Sequence, residues 1–151
     1  MTLHFNISIN ATPERVWDCI VTDAPYREWT AAFHPGSHFV GGWNAGDKIK
    51  FLGPDDEGNM RGMVSEIADA NHPSFISIRH LGFVFNDAED TTSAEVTSWA
   101  PAYENYRLDA QPNGTTLFTV EMDSNEEMAA MFEGIWPKAL EILKTVAERG
   151  L

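Results

Sequence analysis

His80 is the titratable side chain best placed for chemistry, because it continues an alternating apolar pattern. Ile76, Ile78 and His80 share one face of a predicted strand, since successive side chains of a strand point to opposite faces. A histidine on the inward face can bind a ligand carbonyl or carboxylate, or act as a general base. The favoured alternative is a hydrogen-bonded histidine of the core or its rim. A register shift of one residue would turn Arg79 inward and predict an anionic ligand.

Glu104 and Tyr106 form a second pair on one face of a later strand, with Arg107 on the opposite face. Tyr106 can donate its hydroxyl to a ligand, and Glu104 needs a partner if it is buried. Acid–base work by two carboxylates requires a second positioned acid, and the sequence identifies none. We therefore expect an exposed Glu104 and a packed Tyr106, and we assign no catalytic residue.

Metal ligands and nucleophiles do not occur at the spacings that their sites require. His34 and His38 are four residues apart, but Pro35 and Gly36 prevent a helix from placing both on one face. Nothing nearby completes a zinc site. Cys19 is the only cysteine, so no intramolecular disulfide can form. Since nucleophile-elbow, phosphate-loop and dinucleotide motifs are also absent, we predict no metal and no cofactor.

Large, adaptable apolar side chains are the strongest functional signal. The sequence contains five Trp, nine Phe, three Tyr and six Met, more than a small core needs. Such residues can line a ligand pocket, which is typically apolar with a few polar groups, and Met allows it to adapt its shape. The alternative is a filled core. The predicted ligand-binding residues are Trp29, Phe51, Met63, His80, Trp99, Tyr106, Phe132 and Trp136.

Two short helices near the N-terminus are predicted to position part of this set. Asn10 or Thr12 can cap the first helix, with Pro13 at its first position, where the missing N–H costs nothing. Asp23 can cap a second helix that runs through Phe33. The two helices thus follow directly on the first strand.

A long helix at the C-terminal end carries an apolar stripe with the period of an α-helix. Pro137 lies inside this pattern and Gly134 weakens the same turn, so the helix is either kinked or built of two pieces. A hinge there could act as a lid, although a fixed kink that fits a curved sheet is favoured. The stripe consists of Met128, Phe132, Ile135, Ala139, Ile142, Leu143 and Val146.

The rest of the chain has the alternation and turn residues of an antiparallel sheet. Pro101 is expected to interrupt a strand with a bulge or an edge, and Asn113-Gly114 suits a type I′ hairpin turn. Residues 85–94 are acidic and less regular. The predicted strands cover residues 3–9, 38–40, 48–52, 60–67, 74–81, 96–108 and 115–122.

Four local motifs resemble those of the SRPBCC (START/Bet v 1-like) superfamily. The segment Ile9–Trp17 resembles its A-x-P-E-x-V-W opening, and Trp29 falls where its second helix often has Trp. Gly62–Ile67 resembles its G-x-V-x-E-I strand, and Trp136–Lys144 its closing W-x-x-x-L-x-x-L-K helix. The resemblance covers nearly the whole chain. It is greatest to the branch related to the C-terminal domain of the Hsp90 ATPase activator.

This resemblance implies an α+β helix-grip fold, with a curved antiparallel sheet wrapped around a long C-terminal helix. The motif residues are mainly structural, so they indicate the fold more than the function. The superfamily includes lipid and hormone binders, aromatic cyclases and co-chaperone domains. The Hsp90 activator has an additional N-terminal domain, for which 151 residues leave no room, so Hsp90 activation is not carried over. An Hsp90-type chaperone remains a partner that the resemblance suggests and no residue supports.

Composition limits the remaining possibilities. We expect 151 residues to form one domain, 1–151. A net charge of −13 disfavours nucleic acid and anionic membranes, whose phosphates require Lys and Arg. No export signal or membrane-length apolar segment occurs, so cytoplasmic location is expected. A homodimer is possible.

Three functions are compatible with these features. The first, which we favour, is binding of a small apolar or amphipathic molecule under the C-terminal helix. The second is a protein-interaction module, chaperone-associated or regulatory, that uses the acidic surface. The third is a cyclase- or hydrolase-type enzyme with His80 or Glu104 as its base.

Overall fold

The computed structural model describes residues 1–150, which form an α+β arrangement. Both predicted N-terminal helices and the long C-terminal helix are present. The strands are β1 (Thr2–Ile9), β2 (His38–Gly41), β3 (Lys48–Pro54), β4 (Met60–Asn71), β5 (Phe75–Phe85), β6 (Ala88–Asp90), β7 (Ala102–Ala110) and β8 (Thr116–Asp123). The helices are α1 (Pro13–Val21), α2 (Asp23–Thr30), α3 (Ala94–Thr97) and α4 (Glu126–Glu148).

The sheet has eight strands in the described residues and curves around α4. Its order is β1-β8-β7-β5-β4-β3-β2, with β6 paired to β5, and every pairing is antiparallel. The helix α4 packs against α1, α2 and β1. Of its predicted apolar stripe, Ala139, Leu143 and Val146 are buried, whereas Met128 at the other end is exposed. The predicted helix-grip fold is therefore confirmed.

The N-terminal helices begin as capping rules predict. The side-chain oxygen of Thr12 accepts a hydrogen bond from the Arg15 N–H, and Pro13 occupies the first turn of α1. Asp23 is the first residue of α2 rather than its cap, which is Thr22 without a side-chain bond. The helix ends at Thr30, so its predicted extension through residue 33 is wrong. Phe33 instead lies in the turn that follows.

The strand predicted over residues 96–108 is also wrong in its first half. Ser93 caps the short helix α3 by accepting a hydrogen bond from the Val96 N–H. The strand β7 begins only at Ala102, directly after Pro101, whose nitrogen cannot donate to the sheet. A one-turn helix is too short to show a helical period in the sequence.

Two hairpin turns each contain a residue at positive φ. The loop after β7 has Gly114 in the left-handed region at φ 80°, and the Gly114 N–H donates to the Gln111 carbonyl. With Pro112 leading the turn and only the glycine at positive φ, the predicted type I′ turn is wrong. The acidic segment 85–94 contains the second hairpin, β5–β6, whose turn holds Asn86 at φ 52°.

Pro137 lies within one continuous helix α4, so the two-piece interpretation is wrong. Pro137 is exposed to solvent, whereas the preceding residue, Trp136, is buried. Open space surrounds the Cα of Gly134 on the same exposed side. Pro137 has no N–H to donate to the Glu133 carbonyl, and on this exposed side of the helix water can bond that carbonyl instead.

Candidate functional site

A cavity of about 800 Å³ lies between the sheet and α4. All eight residues predicted to bind a ligand line it, although they come from seven separate parts of the chain. They are Trp29 of α2, Phe51 of β3, Met63 of β4, His80 of β5, Trp99 after α3, Tyr106 of β7, and Phe132 and Trp136 of α4. The structure therefore brings the whole predicted set together around one space.

Trp136 forms the inner end of this cavity. Its ring lies 4.9 Å from that of Phe33, 6.1 Å from Trp29 and 6.2 Å from Tyr106, measured between centroids. The indole N–H points to the sulfur of Met122 at 3.1 Å. Ring pairs at these separations gain packing energy beyond the burial of their area. This end is consequently filled by packed aromatic rings around the buried Trp136.

The opposite end is lined by partly exposed apolar groups. The rings of Phe83 and Trp99 lie 5.1 Å apart, and Met128 of α4 lines the same region. The indole N–H of Trp99 is buried and has no hydrogen-bond partner among residues 1–150. Exposed apolar side chains beside an apolar cavity give this end the character of an entrance.

A β-bulge explains why Phe83 was not predicted. In the β4–β5 pairing, Val64 faces Gly82 but Ser65 faces His80, so Leu81 is an extra residue. An extra residue reverses the alternation of faces. Phe83 therefore shares the cavity side with His80 although the two are three residues apart. Gly82, directly after Leu81, is the sequence signal that could have indicated the bulge, because an isolated glycine within a strand pattern often marks one.

The polar centre of the cavity is a chain of four hydrogen-bonded side chains. His80 Nδ1 lies 2.7 Å from Ser65 Oγ, and His80 Nε2 lies 3.0 Å from Glu104 Oε1. The Tyr106 hydroxyl donates to the other Glu104 oxygen. A neutral imidazole satisfies both contacts when Nε2–H donates to the carboxylate and Nδ1 accepts from the serine hydroxyl. We name these four residues the polar cluster.

The side chain of Glu104 is only 16% exposed, so the expected exposed glutamate is wrong. Its partner His80 comes from β5 and is itself buried. A buried carboxylate requires donors, and the cluster supplies two. Tyr106 is packed as expected. Arg79 is directed away from the cavity and pairs with Glu66 at 2.5 Å, which excludes the alternative strand register.

Burial and the charge of Glu104 raise the pKa of two tyrosines. Burial raises the pKa of Tyr106 well above its ordinary value, and the nearby Glu104 carboxylate raises it further. Burial, followed by the same carboxylate, also raises the pKa of Tyr26. In both cases the phenolate form would be poorly solvated and would face a negative charge. Tyr106 therefore acts as a hydrogen-bond donor.

Ser65, His80 and Glu104 have the residue types of a hydrolytic triad, but not its accessibility. The imidazole joins the serine to the carboxylate as it does in a triad, but Ser65 is 0% exposed. A nucleophilic serine must reach the substrate carbonyl. This geometry favours a structural hydrogen bond over acyl transfer.

The other candidate ligands are dispersed. His34 is hydrogen-bonded to the Pro54 carbonyl, and His38 Nδ1 lies 2.9 Å from the Gly36 carbonyl. Within residues 1–150, no three His, Cys, Asp or Glu side chains come together as metal ligands. Cys19 is buried, and this burial raises the pKa of its thiol. No helix in the same range is long and apolar enough to span a membrane.

Solved structures share this architecture over the full chain. Protein NE0264 from Nitrosomonas europaea has a TM-score of 0.75 at 14% identity, covering 100% of this chain and 96% of that one. The Aha1 dimer from Colwellia psychrerythraea has a TM-score of 0.70 at 19% identity, covering 99% and 98%. CalU16 from Micromonospora echinospora has a TM-score of 0.66 at 15% identity, covering 98% and 76%.

At these identities the likeness concerns the fold alone. No protein-family model matches the sequence, and no curated protein matches it. The helix-grip fold indicated by the sequence motifs, of the kind seen in Aha1, is thus supported by structural similarity. Function has to be argued from the cavity.

Proposed function

We propose that this protein binds a small apolar or amphipathic molecule in the cavity between the sheet and α4. The observation that carries the proposal is the cavity itself, about 800 Å³ with mainly aromatic and Met walls. Ligand sites typically have 300 to 1,000 Å³ of space and a few polar groups that fix orientation. Both criteria are met.

The binding free energy would come mainly from removing the apolar body of the ligand from water. The aromatic end around Trp136 would contact this body. The polar cluster would orient the ligand, because Glu104 and the Tyr106 oxygen retain lone pairs that can accept hydrogen bonds. Both ring nitrogens of His80 are already bonded, so the histidine would hold Glu104 rather than contact the ligand first.

Native mass spectrometry of the purified protein is the first test. A stoichiometric added mass that disappears on denaturation, followed by organic extraction, would identify a bound molecule. Titration with the neutral fluorescent probe N-phenylnaphthylamine extends the test to protein purified empty. Saturable binding near one probe per chain is the expected result, and absence of binding in both experiments would contradict the proposal.

A pair of matched substitutions locates the probe. Ala102 lines the cavity beside His80, whereas Ala110 lies at the exposed end of the same strand. Ala102→Trp should fill part of the space and abolish probe binding, while Ala110→Trp should leave it unchanged. Equal probe affinity in the two variants would place the binding elsewhere on the molecule.

A protein-interaction module is the second candidate, and the structural similarity to the Aha1 dimer favours it. The net charge of −13 would suit a basic partner. This candidate predicts a partner that is released by salt and that binds Ala102→Trp as well as the unsubstituted protein. The same variant therefore separates the two functions.

A further inference from the structure

The charged groups around the cavity are all of one sign. Four carboxylates line it, and no Lys or Arg of the described residues does. Glu104 lies in the interior, while the other three are exposed around the entrance. These three are Glu95, Asp123 and Glu127.

None of the four carboxylates forms an ion pair with Lys or Arg within residues 1–150. Asp123 accepts a hydrogen bond from the Tyr103 N–H at 2.8 Å, which leaves its charge uncompensated. Glu104 is held by a phenol and an imidazole. Both can serve as neutral donors. The four carboxylates therefore give the cavity a negative potential that no Lys or Arg of its lining compensates.

The aromatic walls, like these carboxylates, attract cations. The face of an aromatic ring carries partial negative charge, and an ammonium group within about 6 Å of a ring centroid is attracted to it. Trp29, Phe33, Phe51 and Trp136 line the cavity together with Glu104. Rings combined with a carboxylate are the groups that recognise substituted ammonium ions.

We propose that the cavity selects an organic cation, an apolar molecule carrying an amine or quaternary ammonium group, and discriminates against carboxylates. The inference rests on the proposed binding function and names its ligand class. The ammonium group would contact Glu104 and the neighbouring rings, and the apolar body would fill the remaining space. A carboxylate ligand would instead face four like charges with no Lys or Arg to receive it, and both ring nitrogens of His80 are already bonded to Ser65 and Glu104.

Three compounds with the same ring system test this selectivity: naphthylethylamine, naphthylethanol and naphthylacetate. Their affinities are measured by calorimetry at neutral pH and low salt. One protein charge of opposite sign, a few ångströms from the charge of the ligand in a partly buried site, increases the affinity about tenfold or more. We expect the amine to bind at least about tenfold tighter than the alcohol, with the acid weakest.

Variants assign the effect to the cavity. Glu104→Gln removes the interior charge, and the double variant Glu95→Gln/Glu127→Gln removes two entrance charges without altering a buried group. Both should reduce the preference for the amine over the alcohol. Glu133→Gln is the matched control, because Glu133 is exposed on α4 outside the cavity lining and should change nothing.

The possible results distinguish a failure of the cation preference from a failure of ligand binding itself. If naphthylacetate or naphthylethanol binds as tightly as the amine, the cation preference is refuted while ligand binding stands. An amine preference that persists in both carboxylate variants also refutes it. If no naphthalene compound binds and N-phenylnaphthylamine does not bind either, the proposed function fails and the inference fails with it.

Discussion

Alkaline pH should destabilise this protein through Tyr106 and Tyr26. Burial and the Glu104 carboxylate raise the pKa of both phenols above the ordinary value of 10.0. Above pH 10 the unfolded chain releases both protons, whereas the folded chain retains them. The folded state then binds more protons than the unfolded state, so the free energy of unfolding must fall as pH rises.

The magnitude follows from the number of protons involved. Each retained proton lowers the free energy of unfolding by about 1.4 kcal/mol per pH unit, so two phenols give about 2.7 kcal/mol per unit. The contribution is fully present below pH 10 and is lost progressively above it. A rise of two pH units thus lowers the free energy of unfolding by about 5 kcal/mol, which is a large part of the 5 to 15 kcal/mol typical of a domain.

Urea unfolding followed by circular dichroism, at a series of pH values, measures this slope. Tyr106→Phe and Tyr26→Phe should each reduce the slope by about half. If the slope in the Tyr106→Phe variant equals that of the unsubstituted protein, the argument that Glu104 and burial keep this phenol protonated is refuted.

The remaining predictions concern single substitutions measured by urea unfolding. Gly134→Ala should stabilise by about 0.5 to 1 kcal/mol, since an added Cβ meets nothing within 4 Å; no gain would contradict the open geometry. Gly62→Ala should destabilise by more than about 2 kcal/mol, because its Cβ would lie 1.8 Å from the Phe51 carbonyl oxygen. Ser65→Ala should lower the free energy of unfolding by about 1 to 2 kcal/mol, because the hydrogen bond to His80 is lost, but it should leave probe binding intact. If the substitution instead abolished a hydrolytic activity, Ser65 would be supported as a nucleophile.

The sequence predicts part of the cavity lining because most of the residues that it identifies lie on regular elements. Phe132 and Trp136 are four apart on α4, and His80 continues the inward face of Ile76 and Ile78. Periodicity reports such faces directly. The eight residues come together because the helix-grip arrangement brings the inner faces of these elements around one space.

Two of the missed residues lie where the chain departs from regular periodicity. Glu95 belongs to the one-turn helix α3, which is too short to produce a helical pattern, and Phe83 follows the bulge at Leu81. Glu104 was expected to be exposed because its partner His80 is 24 residues away. Pairing across strands depends on register, which one sequence does not specify.

The bulge at Leu81 divides β5 into two parts with different roles. Before it, Ile76 and Ile78 belong to the fully buried core, and after it Phe83 stands half-exposed at the cavity entrance. Deleting Leu81 would leave His80 and Phe83 two residues apart, so that regular alternation would keep both side chains on the cavity side. The entrance half of β5 can therefore keep or lose this extra residue without turning Phe83 away from the ligand space and without changing the buried half of the strand.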